Sequence, residues 1–169
     1  MTVLPIIVAP DPILKTRSEK VEKITPEILQ LMNDMLDTMY AARGVGLSAV
    51  QVGVLKRVIT IDIEQDERGK AGKPIKMINP EIISSSAEIN IYNEGCLSFP
   101  GQYADVERPA AVTIRYLDEQ GKTQTIHADE LMATCVQHEI DHMDGIVFVD
   151  HISRIKRDMI LRRLKKANK

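Results

Sequence analysis

The chain has no tryptophan, two phenylalanines and four tyrosines among 169 residues, so aromatic rings cannot dominate its core. Ile, Val, Leu and eight methionines must fill it instead, within a hydrophobic share of 44% that is ordinary for a globular chain. Two cysteines are too few for a disulfide scaffold, which leaves metal ligation or a buried thiol as the roles for Cys96 and Cys135. No apolar run approaches the roughly 18 residues that a membrane span requires. The opening "MTVLPIIVAPDPIL" lacks a basic lead-in and a small-residue cleavage site, and three prolines interrupt it. A soluble, cytoplasmic protein without a membrane partner is expected. The net charge of −2 argues against a whole-surface polyanion binder, DNA included. Charge is unevenly spread, however. Residues 154–169 carry eight Lys/Arg against one Asp, so the rest of the chain is acidic.

The length suits one domain, taken as residues 1–169. Residues 25–42 read as a helix, with Thr25 as N-cap, Pro26 at the first position, and Ile28, Leu31, Met32, Met35, Leu36 and Met39 along one face. Strand patterns follow at 57–63, 76–83, 88–93 and 111–118, the last entering a hairpin turn at Glu119-Gln120-Gly121. The charged, Gly-containing stretch 64–74 reads as an exposed loop. A second helix runs from about Asp129 through His142, with Gly145 as its stop, and a third from about Ser153 to Ala167. Strands enclosed by terminal helices predict an α+β fold: an N-terminal helix, antiparallel or mixed sheets around a central helix, and a C-terminal helix.

That central helix carries "QHEIDHMDGIVF". His138, Glu139 and His142 spell H-E-x-x-H. Residues four apart share a helix face, so the two histidines can grip one ion while Glu139 lies beside its water as a general base. A catalytic site needs a third ligand and an open position. In one protease pattern the third ligand would be a histidine at position 148, where this chain has Phe148. His151 and His127 read as ordinary surface histidines, and Asp141 points off the ligand face as an outer partner or surface charge. Cys135, three residues before His138, suits a small buried apolar role. Cys96 in "EGCLS" offers a thiolate, although that short stretch alone equally suits a structural cysteine.

The blocks "GVGLSAVQ" at 44–51, "EGCLS" at 94–98 and "QHEIDH" at 137–142 together resemble the peptide deformylases, in order and in separation. The resemblance extends over nearly the whole chain. It implies that Cys96, His138 and His142 bind one divalent metal, Fe²⁺ in the cell, with Zn²⁺, Ni²⁺ or Co²⁺ able to substitute. It implies removal of the formyl group from N-formylmethionyl peptides by attack of a metal-bound water. Glu139 would be base and then acid, and the Gln51 amide and Leu97 N–H would face the developing oxyanion. Val45, Gly46 and Gly95 would pair with the substrate backbone, and Tyr92, Leu131, Thr134 and Cys135 would wall the methionine slot. For Leu131 and Tyr92, plain core packing is an equal reading.

Two departures are visible: Ser48 stands where the first block usually has alanine, and Tyr103 where some relatives have arginine. The serine is expected to alter hydrogen bonding behind Gln51. Ile155, Met159, Ile160 and Leu164 are expected to dock the last helix, and the resemblance implies that its cations contact the ribosome. The competing readings are a small metallopeptidase, or a ribosome-associated module that keeps a metal without catalysis.

Overall fold

In a computed structural model of the chain, residues 1–167 are described; the last two residues of the basic segment, 168 and 169, lie outside them. Helix α1 spans Pro26–Ala41, and the Thr25 hydroxyl accepts the Ile28 N–H at 3.3 Å, as the N-cap reading requires. Strands β1 (Gly46–Ser48), β2 (Val58–Ile61) and β3 (Ile75–Ser85) follow, with a 3₁₀ turn over Ala49–Val52 after β1. Then come β4 (Ile89–Cys96), β5 (Phe99–Pro109), β6 (Ala111–Leu117) and β7 (Thr123–Asp129). Helix α2 (Glu130–Met143), a 3₁₀ turn at Phe148–His151 and helix α3 (Arg154–Ala167) complete the order.

The α+β class holds, and every pairing between named strands is antiparallel. Five strands form one sheet in the order β1-β2-β3-β6-β7, while β4 and β5 make a separate hairpin. Strand alternation sends Val58 and Ile78 to the face covered by Met32, Met35 and Met39 of α1. Ile59, Ile61 and Met77 point the other way, onto Val136, Ile140 and Met143 of α2. The methionine-based core is therefore real, since all five of these methionines have no exposed surface.

A third cluster holds the hairpin down through Phe99, Val106, Phe148, Ile160 and Leu164. Phe148 is thus a core residue, set edge-to-face against Phe99 at 5.1 Å between ring centroids. The apolar stripe expected of α3 divides. Ile160 and Leu164 are buried, but Ile155 is 75% and Met159 42% exposed. The pairs 155/159 and 160/164 sit about 140° apart around a helix, so only one of them can face the hairpin.

Strand β5 has no counterpart among the expected elements. Only Ala104, Val106 and Arg108 of its middle turn inward, between the exposed Tyr103, Asp105 and Glu107, so its apolar alternation is too thin to register. Its pairing also lengthens β4 beyond the expected 88–93, carrying that strand through Gly95 to Cys96.

Candidate metal centre

Ten of the 14 residues of α2 are buried, which makes it the central helix of the fold. It drives His138, Glu139 and His142 into the interior, at 9%, 3% and 0% exposure. Cys96 arrives from the end of β4, where the ladder register shifts between Gly95 and Cys96 and the extra residues lie on β5. One ligand atom each from Cys96, His138 and His142 lies within 4.8 Å of the others, and Cys96 Sγ is 3.3 Å from His142 Nε2. The group is assembled from 42 residues upstream of His138, at a strand end rather than in a loop. Thiolate with two imidazoles is a donor set for Zn²⁺, Fe²⁺, Co²⁺ or Ni²⁺, and three protein ligands leave a position open.

The surrounding charges fit a cation. Glu94 Oε1 accepts from His138 Nδ1 at 3.0 Å, which leaves Nε2 of that ring for the centre. Burial works against a charge on His138, yet its hydrogen bonds with Cys96 and Glu94 outweigh that and hold it well above the ordinary imidazole value. His142 is pushed the other way by burial and by the charge beside it. The centre thus favours positive charge at one spot. Burial lifts the Glu139 carboxyl to about 7, and its Oε1 has no hydrogen-bond partner among the described residues. That buried oxygen, in the cleft that Cys96 and His138 also line, lacks the partner that a buried polar atom ordinarily has, as a base awaiting a water or substrate would.

Arg108 organises the carboxylates behind the centre. Its guanidinium grips Glu94 through Nε at 2.7 Å and Nη2 at 3.1 Å, and reaches Asp141 through Nη1 at 2.8 Å. Asp141 also accepts from His151 at 2.8 Å. Asp141, read as an outer partner or a surface charge, is half-buried and reaches His138 only through Arg108 and Glu94, while His151 is exposed but tied to it. Burial opposes ionisation of Glu94 and Asp141; His138 and Arg108 in the first case, and His151 and Arg108 in the second, hold both below the usual carboxylate range.

Gln51 is 1% exposed and sits in the 3₁₀ turn after β1. Its Oε1 accepts from Ser48 N–H at 3.0 Å and from the Ser48 hydroxyl at 2.9 Å. Its Nε2 donates to Ser98 Oγ at 3.1 Å and points toward Cys96 Sγ at 3.6 Å. The hydroxyl bond from Ser48 to Gln51 is one that an alanine at this position could not make.

A cleft of about 510 Å³ opens onto the centre. Val45, Gly46, Gln51, Tyr92, Gly95, Leu97, Leu131, Thr134 and Cys135 line it together with Cys96, His138 and Glu139. Every residue expected at the site is therefore at this cleft except His142, which lies beneath it. Leu131 is 43% exposed at the rim, so plain core packing does not describe it. Burial pushes the Cys135 thiol up to about 12, which keeps it neutral and apolar. A Cβ on Gly46 would come within 2.8 Å of Glu139 Oε2, so a larger residue there would displace that carboxylate. A larger groove, about 1060 Å³ along Ser18, Lys20, Lys56 and Arg57, touches none of these groups.

Glu94, Arg108 and Ser98 are the participants that the sequence did not suggest. Arg108 lay in the unrecognised strand. Glu94 carried a signal, as an acidic residue two positions before Cys96 and just past a strand pattern, but nothing local marks it as buried.

The family model of polypeptide deformylases matches residues 3–158. A peptide deformylase of Agrobacterium fabrum is 50% identical over 167 residues, which cover 99% of this chain and 97% of that one. Another, from Rhodopseudomonas palustris, is 51% identical over 100% of this chain and 97% of its own. The crystal structure of an Ehrlichia chaffeensis peptide deformylase superposes with a TM-score of 0.93 at 40% identity, covering 99% of this chain and 97% of that one. A crystal structure of peptide deformylase from Ehrlichia chaffeensis in complex with actinonin gives 0.93 at 42% identity over 99% and 98% of the two chains. With sequence, fold and ligand group in agreement, the chain belongs to the polypeptide deformylase family and is an enzyme.

Proposed function

We propose that the enzyme hydrolyses the formyl group from the N-terminal formylmethionine of newly made peptides, releasing formate. The observation that carries this reading is the buried, unpartnered Glu139 Oε1 beside a Cys-His-His group at the floor of an open cleft. Cys96, His138 and His142 would hold a divalent ion, Fe²⁺ in the cell, with Zn²⁺, Ni²⁺ or Co²⁺ as substitutes. When bound, that ion supplies Lewis-acid polarisation and acidifies water toward neutrality.

The chain's own residues do the rest. Glu139 takes the proton of the attacking water and returns it to the departing amine. Gln51 Nε2 and the Leu97 N–H face the oxygen that gains charge as the formyl carbon becomes tetrahedral. Tyr92, Leu131, Thr134 and the neutral Cys135 wall the methionine side chain.

Substrate backbone is held at strand edges. The Asp62 N–H donates to the Val45 carbonyl at 2.9 Å, and Gly46 stands opposite Ile61. In an antiparallel ladder this makes Gly46 a non-hydrogen-bonded pair, so its own N–H and C=O point to the free edge of β1. A peptide can add there as a strand, with Gly95 on the opposite wall.

Formate release from a formyl-Met tripeptide, followed anaerobically on metal-loaded protein, tests the activity. The metallopeptidase alternative makes a different prediction for Cys96→Ser. Deformylation requires this ligand, so the substitution is expected to stop turnover and weaken metal binding beyond the about 10–100-fold that losing an outer partner costs. Undiminished metal binding in Cys96→Ser would favour a ligand downstream of the helix.

The basic face of α3 points to the ribosome, where formylated chains emerge in the bacterial-type cytoplasm. Arg162, Arg163 and Lys165 are exposed, whereas Ile160 and Leu164 of the same helix are buried in the cluster that holds the hairpin. Reversing these three charges is expected to abolish a salt-sensitive association with ribosomes in a pelleting assay. Unchanged binding by the folded variant rejects that role. No helix among the described residues is long and apolar enough to cross a membrane.

A further inference from the structure

Ser48 touches neither the cleft nor the ligand group, yet it is fully buried and both of its donors converge on one atom. Its backbone N–H and its hydroxyl meet Gln51 Oε1 at 3.0 and 2.9 Å. The terminal torsion of a glutamine is broad and roughly two-fold, so the amide by itself does not choose between its two orientations. Here the choice is forced. Rotating the amide by half a turn would set the Nε2 hydrogens against the Ser48 backbone N–H, which can only donate, with Oε1 facing the Cys96 sulfur. A buried donor facing a donor forfeits its bond without compensation from water. On the opposite side, Ser98 Oγ accepts from Nε2 at 3.1 Å and is itself fully buried. The hydroxyl of Ser98 can turn to donate or accept, so it does not discriminate between the two orientations. The Ser48 backbone N–H does, because it can only donate, and the Ser48 hydroxyl then adds a second bond that restrains the amide in the orientation so chosen.

We infer that Ser48 is a positioning residue for deformylation, locking the Gln51 carboxamide so that Nε2 is presented to the formyl oxygen. The inference rests on the proposed role of Gln51 and extends it to the residue that sets its orientation. Without the hydroxyl, the backbone N–H still favours the same orientation, so the loss is partial. Removing one neutral hydrogen bond corresponds to about a three- to ten-fold change. That lies well below the about 10²–10³-fold cost of losing an oxyanion donor outright.

The test compares Ser48→Ala, Ser48→Thr, Gln51→Ala and Ser48→Ala/Gln51→Ala in zinc-loaded protein. The expected result is a loss in kcat for Ser48→Ala with KM unchanged, restored in part by Ser48→Thr. That loss should vanish in the Gln51→Ala background, because Ser48 then has nothing to orient. NMR of the Gln51 side-chain amide, without substrate, provides a second readout. Its two proton resonances should shift and broaden in Ser48→Ala. An equal loss from Ser48→Ala whether or not Gln51 is present would overturn the inference, as would an unmoved amide signal. A fully active Gln51→Ala would instead sink the reading of Gln51, and the amide resonances would still decide whether Ser48 sets its orientation.

Discussion

Glu139→Gln is expected to slow formate release by about 10²–10⁴-fold, the usual worth of a positioned general acid–base group. Glutamine keeps the shape of the side chain but can neither take the proton of the attacking water nor return it to the amine. Metal content should survive, because the three ligand atoms belong to Cys96, His138 and His142. The carboxyl is lifted toward neutrality by burial, while the base must be ionised to act. Activity of the parent protein should therefore fall as pH drops through the Glu139 titration. A cation bound beside it moves that limb to lower pH, and Glu139→Gln should erase the limb altogether. Undiminished turnover in a fully metal-loaded Glu139→Gln protein would reject the mechanism.

The second large effect falls on stability. Arg108→Met leaves the buried Glu94 and the half-buried Asp141 without the cation that both of them contact. Breaking a buried ion pair by removing one partner costs about 3–5 kcal/mol. The pH dependence has a definite sign. Both carboxyls are held below their ordinary range in the folded chain, so the stability they contribute is present above that range. It is lost as pH falls through their folded values. The deficit of Arg108→Met, measured by urea unfolding, should thus be largest near neutrality and shrink in acid as the stranded groups take up protons. A deficit of equal size at both ends would mean that packing, rather than charge, is what Arg108 supplies. Metal affinity should drop as well, since Glu94 holds His138 through Nδ1.

What the sequence disclosed and what it concealed follow from how far each feature reaches along the chain. Helix α1 was legible because its cap, proline and methionine spacing all lie within one segment. The pair His138/His142 was legible because helical periodicity alone puts both on one face. Cys96 became a ligand candidate only through its company, three short blocks in a set order, since nothing next to it says where its sulfur points. Strand β5 was hidden by its own outward face, where Tyr103, Asp105 and Glu107 mask the inward turn of Val106 and Arg108. A charged residue on a strand ordinarily means solvent. Arg108 is buried because Glu94 and Asp141 come to it from other elements, and no window of local sequence contains all three.

The shortness of β1 bears on what kind of recognition this cleft can offer. The strand is three residues long, and at Ser48 its outward N–H is already claimed by Gln51. A visiting chain laid along that edge meets only the pair of groups on Gly46 before the ladder is closed off. Such a berth works as a doorstop rather than a zipper: it squares up the first residue against Glu139 and gives little purchase on those that follow. On the proposed reading, substrates with very different sequences would be processed alike, and each would slip away once its formyl group is gone.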